Sequence, residues 1–221
     1  GFTLEDGDIY PHLLTFTVTD LTKEIDGVQT VVAYIEDISN DELVEAEIAF
    51  YAQDNDGAVW YLGEYPEEYE RGQFVAAPAW IAGLENAKAG IKMLAEPQVN
   101  TPSLSQGWAP VVQWADRGQV YRMGQHTCVP FDCYEDVVIM DEFTLEEPGA
   151  IQLKYYAPGV GQVRVGFRGT DLKPEILELI DRQELEPGGL AKIREAALAL
   201  EARAYDISPN VYGQTPPAEG P

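Results

Sequence analysis

Apolar and polar residues alternate along most of the chain up to position 186, and that period of two predicts strands. Over 13–19, Leu14, Phe16 and Val18 stand opposite Leu13, Thr15 and Thr17. Positions 28–38 are rich in β-branched residues and predict a second strand. Over 42–53, Leu43, Glu45, Glu47 and Ala49 face one way, and Val44, Ala46, Ile48 and Phe50 face the other. The turn Asp54-Asn55-Asp56-Gly57 then leads into an aromatic strand over 58–65, its Asp-Gly pair supplying the positive φ of a tight hairpin. This hairpin, 51–65, is the organising stretch, and successive hairpins of the kind build an antiparallel meander.

Glu64, Glu67, Glu68 and Glu70 predict an acidic bend before Gly72, and 73–82 a short strand carrying Trp80. Gly83, Gly90, Pro97, Pro102 and Pro110 break any period over 83–110, leaving an irregular insert with one short strand at 91–95. Further strands are expected at 111–123 and 134–143, a hairpin at 150–157 and 162–167 around Pro158-Gly-Val-Gly161, and a last strand at 175–181. After Pro187-Gly-Gly189 the period changes: Leu190, Ile193, Ala197, Leu200 and Ala204 predict an amphipathic helix over 190–205. The Pro-rich tail, 208–221, is expected to be extended and mobile unless it docks. The fold expected is mainly β (α+β), a curved antiparallel sheet or half-barrel with one C-terminal helix, a sandwich being the alternative. It divides into a β domain, 1–186, and a helix with tail, 187–221.

Composition changes the picture chiefly through charge. Of 221 residues, 38 are acidic and 14 basic, a net charge of −24 that repels nucleic acid and anionic membranes. No apolar run is long enough for a membrane-spanning helix. The chain opens at Gly1 without a signal peptide, as a mature product would after its leader is removed. Its two cysteines, in Cys128-Val-Pro-Phe-Asp-Cys133, predict a local disulfide and an oxidising compartment. The alternatives are unpaired thiols, or a metal or redox site joined by His126, although the paired Cys-x-x-Cys spacing is missing.

Candidate chemistry is otherwise sparse. Asp54, Asn55 and Asp56 carry oxygen ligands suited to calcium, but EF-hand spacing is absent and turn formation explains the same residues. Glu64, Glu67 and Glu68 form a second candidate cation cluster, with a solvated face as the simpler account. No Gly-x-Ser-x-Gly elbow exists, and the histidines are His12, at the start of a strand, and His126. Gly159-x-Gly161 lies between strands and is a hairpin turn rather than a phosphate loop. One aromatic face of the alternating strands is expected in the core. Trp108 and Trp114, in or beside the irregular region, are the candidates for a ligand or contact surface.

Three runs carry a resemblance: Tyr51-Ala-Gln-Asp followed by Val59-Trp60-Tyr61-x-Gly63-Glu64, Lys154-Tyr-Tyr-Ala-Pro-Gly-Val-Gly161, and Ala197 to Tyr205 with Pro209-Asn-Val-Tyr-Gly. Together they make the chain similar to a group of uncharacterised secreted or periplasmic bacterial proteins. The resemblance implies an extracytoplasmic β-rich domain and no particular activity. The expected function is a non-enzymatic extracytoplasmic protein that binds a ligand or assembles with copies of itself. The helix, the tail or an open sheet edge would reach the partner. The alternative is a calcium-assisted or two-carboxylate hydrolase of extracellular polymers.

Overall fold

A computed structural model describes residues 1–221. The strands are β1 (Phe2–Glu5), β2 (Asp8–Ile25), β3 (Val28–Ser39), β4 (Glu42–Gln53), β5 (Val59–Glu70), β6 (Gln73–Ala76), β7 (Trp80–Ile81) and β8 (Lys88–Met93). They continue as β9 (Leu104–Ser105), β10 (Gly107–Trp108), β11 (Asp116–Cys128), β12 (Cys133–Thr144), β13 (Ala150–Ala157), β14 (Gly161–Gly169) and β15 (Glu175–Glu178). One helix follows, α1 (Pro187–Ile207). All strands belong to one antiparallel sheet in the order β10-β8-β5-β4-β3-β2-β1-β15-β14-β13-β12-β11-β9, with β6 and β7 hung on β5. The first meander runs outward from β2 to β8; the second runs back from β11 to β15, and β1 joins them. The curved, nearly closed half-barrel with one C-terminal helix is the architecture expected from the alternation.

Closure comes from the region expected to be irregular. Leu104–Ser105 pairs with β11, and two residues later Gly107–Trp108 pairs with β8, so one five-residue stretch bridges the two edges of the sheet. Gln106, between the pairs, is fully buried, and its N–H donates to Asp116 O at 2.8 Å. Room for it exists because both neighbours are glycine. A Cβ on Gly90 would lie 2.1 Å from the Gln106 carbonyl carbon, and one on Gly118 would lie 2.6 Å from its Nε2. The remaining opening lies beside β2. From Leu13 to Leu21 that strand is paired on its β3 side alone, and Leu14, Phe16 and Val18 along it are exposed.

The principal hydrophobic core lies on the outer face of the first meander. Ala46, Ile48 and Phe50 of β4, Val32 and Tyr34 of β3, and Leu62 and Tyr65 of β5 meet Ala197, Leu200 and Ala204 of α1. The helix begins at Pro187, where the missing N–H costs nothing, and runs to Ile207, so Pro187-Gly-Gly189 forms its first turn instead of preceding it. Three charged contacts fix its position: Lys23–Glu201, Arg203–Glu67 and Arg194–Asp20. Lys23 has a side chain with 0% exposure, and its Nζ donates to Glu201 Oε1 at 2.7 Å, to Tyr205 Oη at 3.1 Å and to Pro216 O, beneath the Tyr212 ring. Burial lowers its pKa, and Glu201 opposes that shift. A buried cation so surrounded is costly to strand, and it ties helix, tail and sheet to one geometry.

Several local expectations are corrected. The tail is not free: Tyr212 is fully buried, Ala218 N–H donates to Glu201, and Glu219 bridges Thr22 across the open side of β2. The acidic stretch 64–70 is strand, not bend, because β5 pairs with β4 as far as Glu68 and with β6 as far as Glu70. The strand expected over 73–82 is split into β6 and β7. That expected from 111 starts only at Asp116, after a 3-10 turn at Pro110–Val112, and runs on to Cys128. The open end of β2 also extends further than expected, from Asp8 to Ile25.

Replacing Gly90 with Ala is expected to cost about 1–3 kcal/mol, the usual penalty of overpacking. Gly188→Ala, which meets no atom within 4 Å, is expected to leave the urea midpoint unchanged or slightly raised. Equal midpoints for the two variants would contradict the stitched closure.

Candidate binding site inside the barrel

The pleat of β4 sends its apolar residues outward to the helix and its remaining side chains inward. Register extends that inner face: Ala49 opposes Glu64, Tyr51 opposes Tyr61, and Glu45 opposes Glu68. The second meander contributes Glu142, Lys154 and Tyr156, and the residues beside the stitch contribute Lys92 and Asp116. Glu45, Tyr51, Glu64, Lys92, Asp116, Lys154 and Tyr156 are desolvated by surrounding protein yet each keeps accessible surface. Side chains in that condition border an internal space.

On one wall, Glu47 and Glu64 lie within hydrogen-bond reach of each other. Burial, then the Glu64 and Glu45 charges, push Glu47 well above the usual carboxyl range. Burial also raises Glu64, against the hydrogen bonds it accepts from Tyr61 Oη and from Trp80 Nε1, the latter at 3.0 Å. Glu45 is pushed up to about 7 by burial and by Glu64, Asp37 and Glu68. On the other wall, Lys92 is ion-paired with Glu142. Burial works against the Lys92 charge, but Glu142 and the Tyr156 and Tyr51 phenols outweigh it and raise the pKa. Burial likewise opposes ionisation of Glu142, and Lys92 and Lys154 outweigh it. Burial lowers Lys154, raises Asp116, and lifts Tyr156 to about 12. Glu142 Oε2 is enclosed and has no protein partner.

A third group continues the polar lining toward β1. His12 Nδ1 lies 2.8 Å from Asp37 Oδ1, and its Nε2 lies 3.6 Å from Glu175 Oε1. Neither contact is a hydrogen bond, and His12 Nδ1 and Asp37 Oδ1 are left without such a partner. Burial raises Asp37 to about 6, against the pull of His12. Aromatic rings complete the first-meander wall: Tyr51 stacks on Tyr61 at 4.9 Å, Trp80 on Trp114 at 4.9 Å, and Phe16 lies 6.2 Å from Tyr51 beside the open side of β2.

The residues singled out in the sequence are distributed differently from their order in the chain. The pleat separates Glu64 and Glu68, which face inward, from Glu67, which faces the helix. Glu67 already has its cation: Arg203 binds both carboxylate oxygens, and Tyr65 Oη donates at 2.8 Å. Those partners outweigh burial and lower its pKa. The three glutamates therefore share no cation site. In the hairpin turn, Asp54 Oδ1 accepts from Asp56 and Ala58 N–H, and Oδ2 accepts from Trp60 Nε1 at 2.8 Å. Both Asp54 oxygens thus serve the turn, while Asn55 and Asp56 stand exposed beside it.

Trp114 belongs to the inner wall, packed against Trp80 and Tyr61. Trp108 is exposed beneath Lys88 and lines an outer cleft of about 360 Å³ with Arg117, Leu145 and Glu146. Asp116 belongs both to that cleft and to the interior. Cys128 and Cys133 form the expected disulfide, so neither sulfur is a metal-binding thiolate here. No helix is long and apolar enough to cross a membrane.

Lys92 and Glu142 had no motif to mark them, and Lys154 stood in a run that carried a resemblance but no chemical role. Glu45 and Glu47 had a signal: the opposite face of their strand is the one a single amphipathic helix can cover, which turns the glutamates inward. No protein-family model, curated protein or solved structure matches this chain.

The raised carboxyls have a stability consequence. Unfolded carboxyls titrate near about 4. Above that, the folded protein still holds protons on Asp37 and Glu45 that the unfolded chain has lost, so stability falls as pH rises through about 6 to 7. Glu67 acts in the opposite sense, its contribution being lost as pH falls below the usual carboxyl range. Scanning calorimetry is expected to give the highest Tm near about pH 5 and a decline toward about pH 8, reduced in Glu45→Gln. A wild-type Tm that rises across that interval would contradict the enclosed interior.

Proposed function

We propose that this is an extracytoplasmic binding protein whose barrel interior takes a small organic cation, an ammonium or guanidinium compound with an apolar body. The observation that supports it is the inverted distribution of polarity. The principal apolar core lies outside the barrel under α1, while carboxyls crowd the inside beside a smaller cluster of aromatic rings and small apolar side chains. Small barrels fill their interiors with side chains, and wider ones hold ligands. Unneutralised carboxyls in such a space are costly, and a bound cation relieves that cost. The lip formed by Leu14, Phe16 and Val18 suits the apolar part of such a ligand, and Tyr51 beyond it offers a π face to the cationic part. The exposed disulfide supports the extracytoplasmic location.

A two-carboxylate hydrolase fits less well. Glu47 and Glu64 are within hydrogen-bond reach of each other, whereas catalytic carboxyl pairs in glycosidases stand about 5 Å or more apart. The free side of β2 favours a second reading, strand addition by another copy between Leu13 and Leu21.

Isothermal titration of the full chain with spermidine, arginine and choline as probes tests the proposal. Binding of at least one probe is expected, tightening as pH rises from about 5 to 8 because the carboxyls must ionise, and lost in Glu47→Gln/Glu64→Gln. No binding by any probe, or binding of calcium alone, would refute the organic-cation assignment. A homodimer in native mass spectrometry without any bound probe would favour strand addition instead.

A further inference from the structure

The disulfide carries an independent inference. Cys128 and Cys133 are directly opposed at the end of the β11–β12 hairpin, and both are exposed. The bond closes a loop of only five positions between strands already paired, and a loop of that size is worth about 2 kcal/mol at most in the chain-entropy model. It ties no distant elements together.

Its surroundings are chemical rather than structural. His126 Nε2 lies 3.3 Å from Cys128 Sγ, and His126 Nδ1 lies 2.8 Å from Glu135 Oε1. That is the sulfur–imidazole–carboxylate order of an assisted thiol, with the acid–base group held by a third residue. Glu135 accepts from Nδ1–H and aims Nε2 at one sulfur only. Phe131 at the loop tip is exposed beside the pair, and its N–H is tied to Leu179 O at 3.1 Å, which holds the loop against the residue that follows β15.

We propose that Cys128–Cys133 is a thiol–disulfide exchange site for dithiols, attacked at Cys133, with His126 protonating the departing Cys128 sulfur and Glu135 positioning His126. A thiolate of the dithiol bonds to Cys133 Sγ, the S–S bond breaks, and its electron pair goes to Cys128 Sγ, which takes the Nε2 proton of the imidazolium. The second thiol of the reductant, once deprotonated, then attacks its own sulfur in the mixed disulfide. Cys133 leaves as thiolate and takes a proton from solvent. The dithiol is oxidised to a disulfide, the protein pair is reduced to two thiols, and two electrons and two protons are transferred. Exchange is faster when the leaving sulfur is stabilised, and only Cys128 has a neighbour able to do that.

Stopped-flow reduction of the full chain by dithiothreitol, followed from about pH 5.5 to 9, tests this. His126→Ala is expected to slow the second-order step by at least about tenfold at the acidic end, in line with general acid catalysis. The deficit should shrink as pH rises and the imidazolium is depleted. Glu135→Gln should slow the same step less than His126→Ala does, and Glu135→Asp should keep part of the wild-type rate. Glutathione, trapped by acid quench and located by peptide mass spectrometry, should be joined to Cys133. An unchanged rate in His126→Ala, a pH-independent deficit, or glutathione on Cys128 would overturn the assignment.

Discussion

The passage of Gln106 between Gly90 and Gly118 determines what the inside of this barrel can be. Without it, β8 and β11 would be free edges and their inward side chains would face bulk water. With it, the two meanders form a nearly closed wall, and the dielectric around Glu47, Glu64, Lys92 and Glu142 falls together. The response differs on the two sides. Carboxyls close to other carboxyls are pushed above their ordinary range, whereas Lys92 and Glu142 are set face to face as an ion pair. One geometric constraint thus produces both the raised acids and the retained ion pair.

The same closure explains why the helix sits outside. A sheet with a polar inner face must bury its apolar face elsewhere, and α1 with the docked tail supplies the only helical cover. The charged contacts there are placed differently from those inside. Lys23, Glu67 and Asp20 each meet a partner from α1, so they fix the helix in register and leave no free charge. Inside, Glu142 Oε2 is left without a partner and the carboxyls outnumber the cations around them. Burial of the apolar face and enclosure of the ionisable groups are therefore separate tasks of the same strands.

Much of the fold was legible because its information is local. Alternation marked the long strands, Asp56-Gly57 marked the central turn, and the spacing of Ile193, Ala197, Leu200 and Ala204 marked the helix. The cysteine pair could be read because its loop is short. The site was less legible because its members are far apart in sequence. Lys92 meets Glu142, and Tyr51 faces Tyr156 across the interior, only after the stitch forms. That stitch hides in a stretch with frequent Gly and Pro, where Gly90 and Gly118 serve close approach rather than turns. Glu67 shows the opposite failure. Its neighbours in sequence suggested an acidic cluster, but the pleat gave it to Arg203.

The enclosed interior with its raised carboxyls is tested most directly by following the glutamate side-chain carboxyl carbons of the intact protein by ¹³C NMR through a pH titration. Glu45 is expected to titrate near about 7, Glu47 to titrate well above the usual carboxyl range, and Glu67 to stay ionised below it. If Glu45 and Glu47 instead titrate together near about 4.3, as free glutamates do, water fills the barrel freely and the account is wrong.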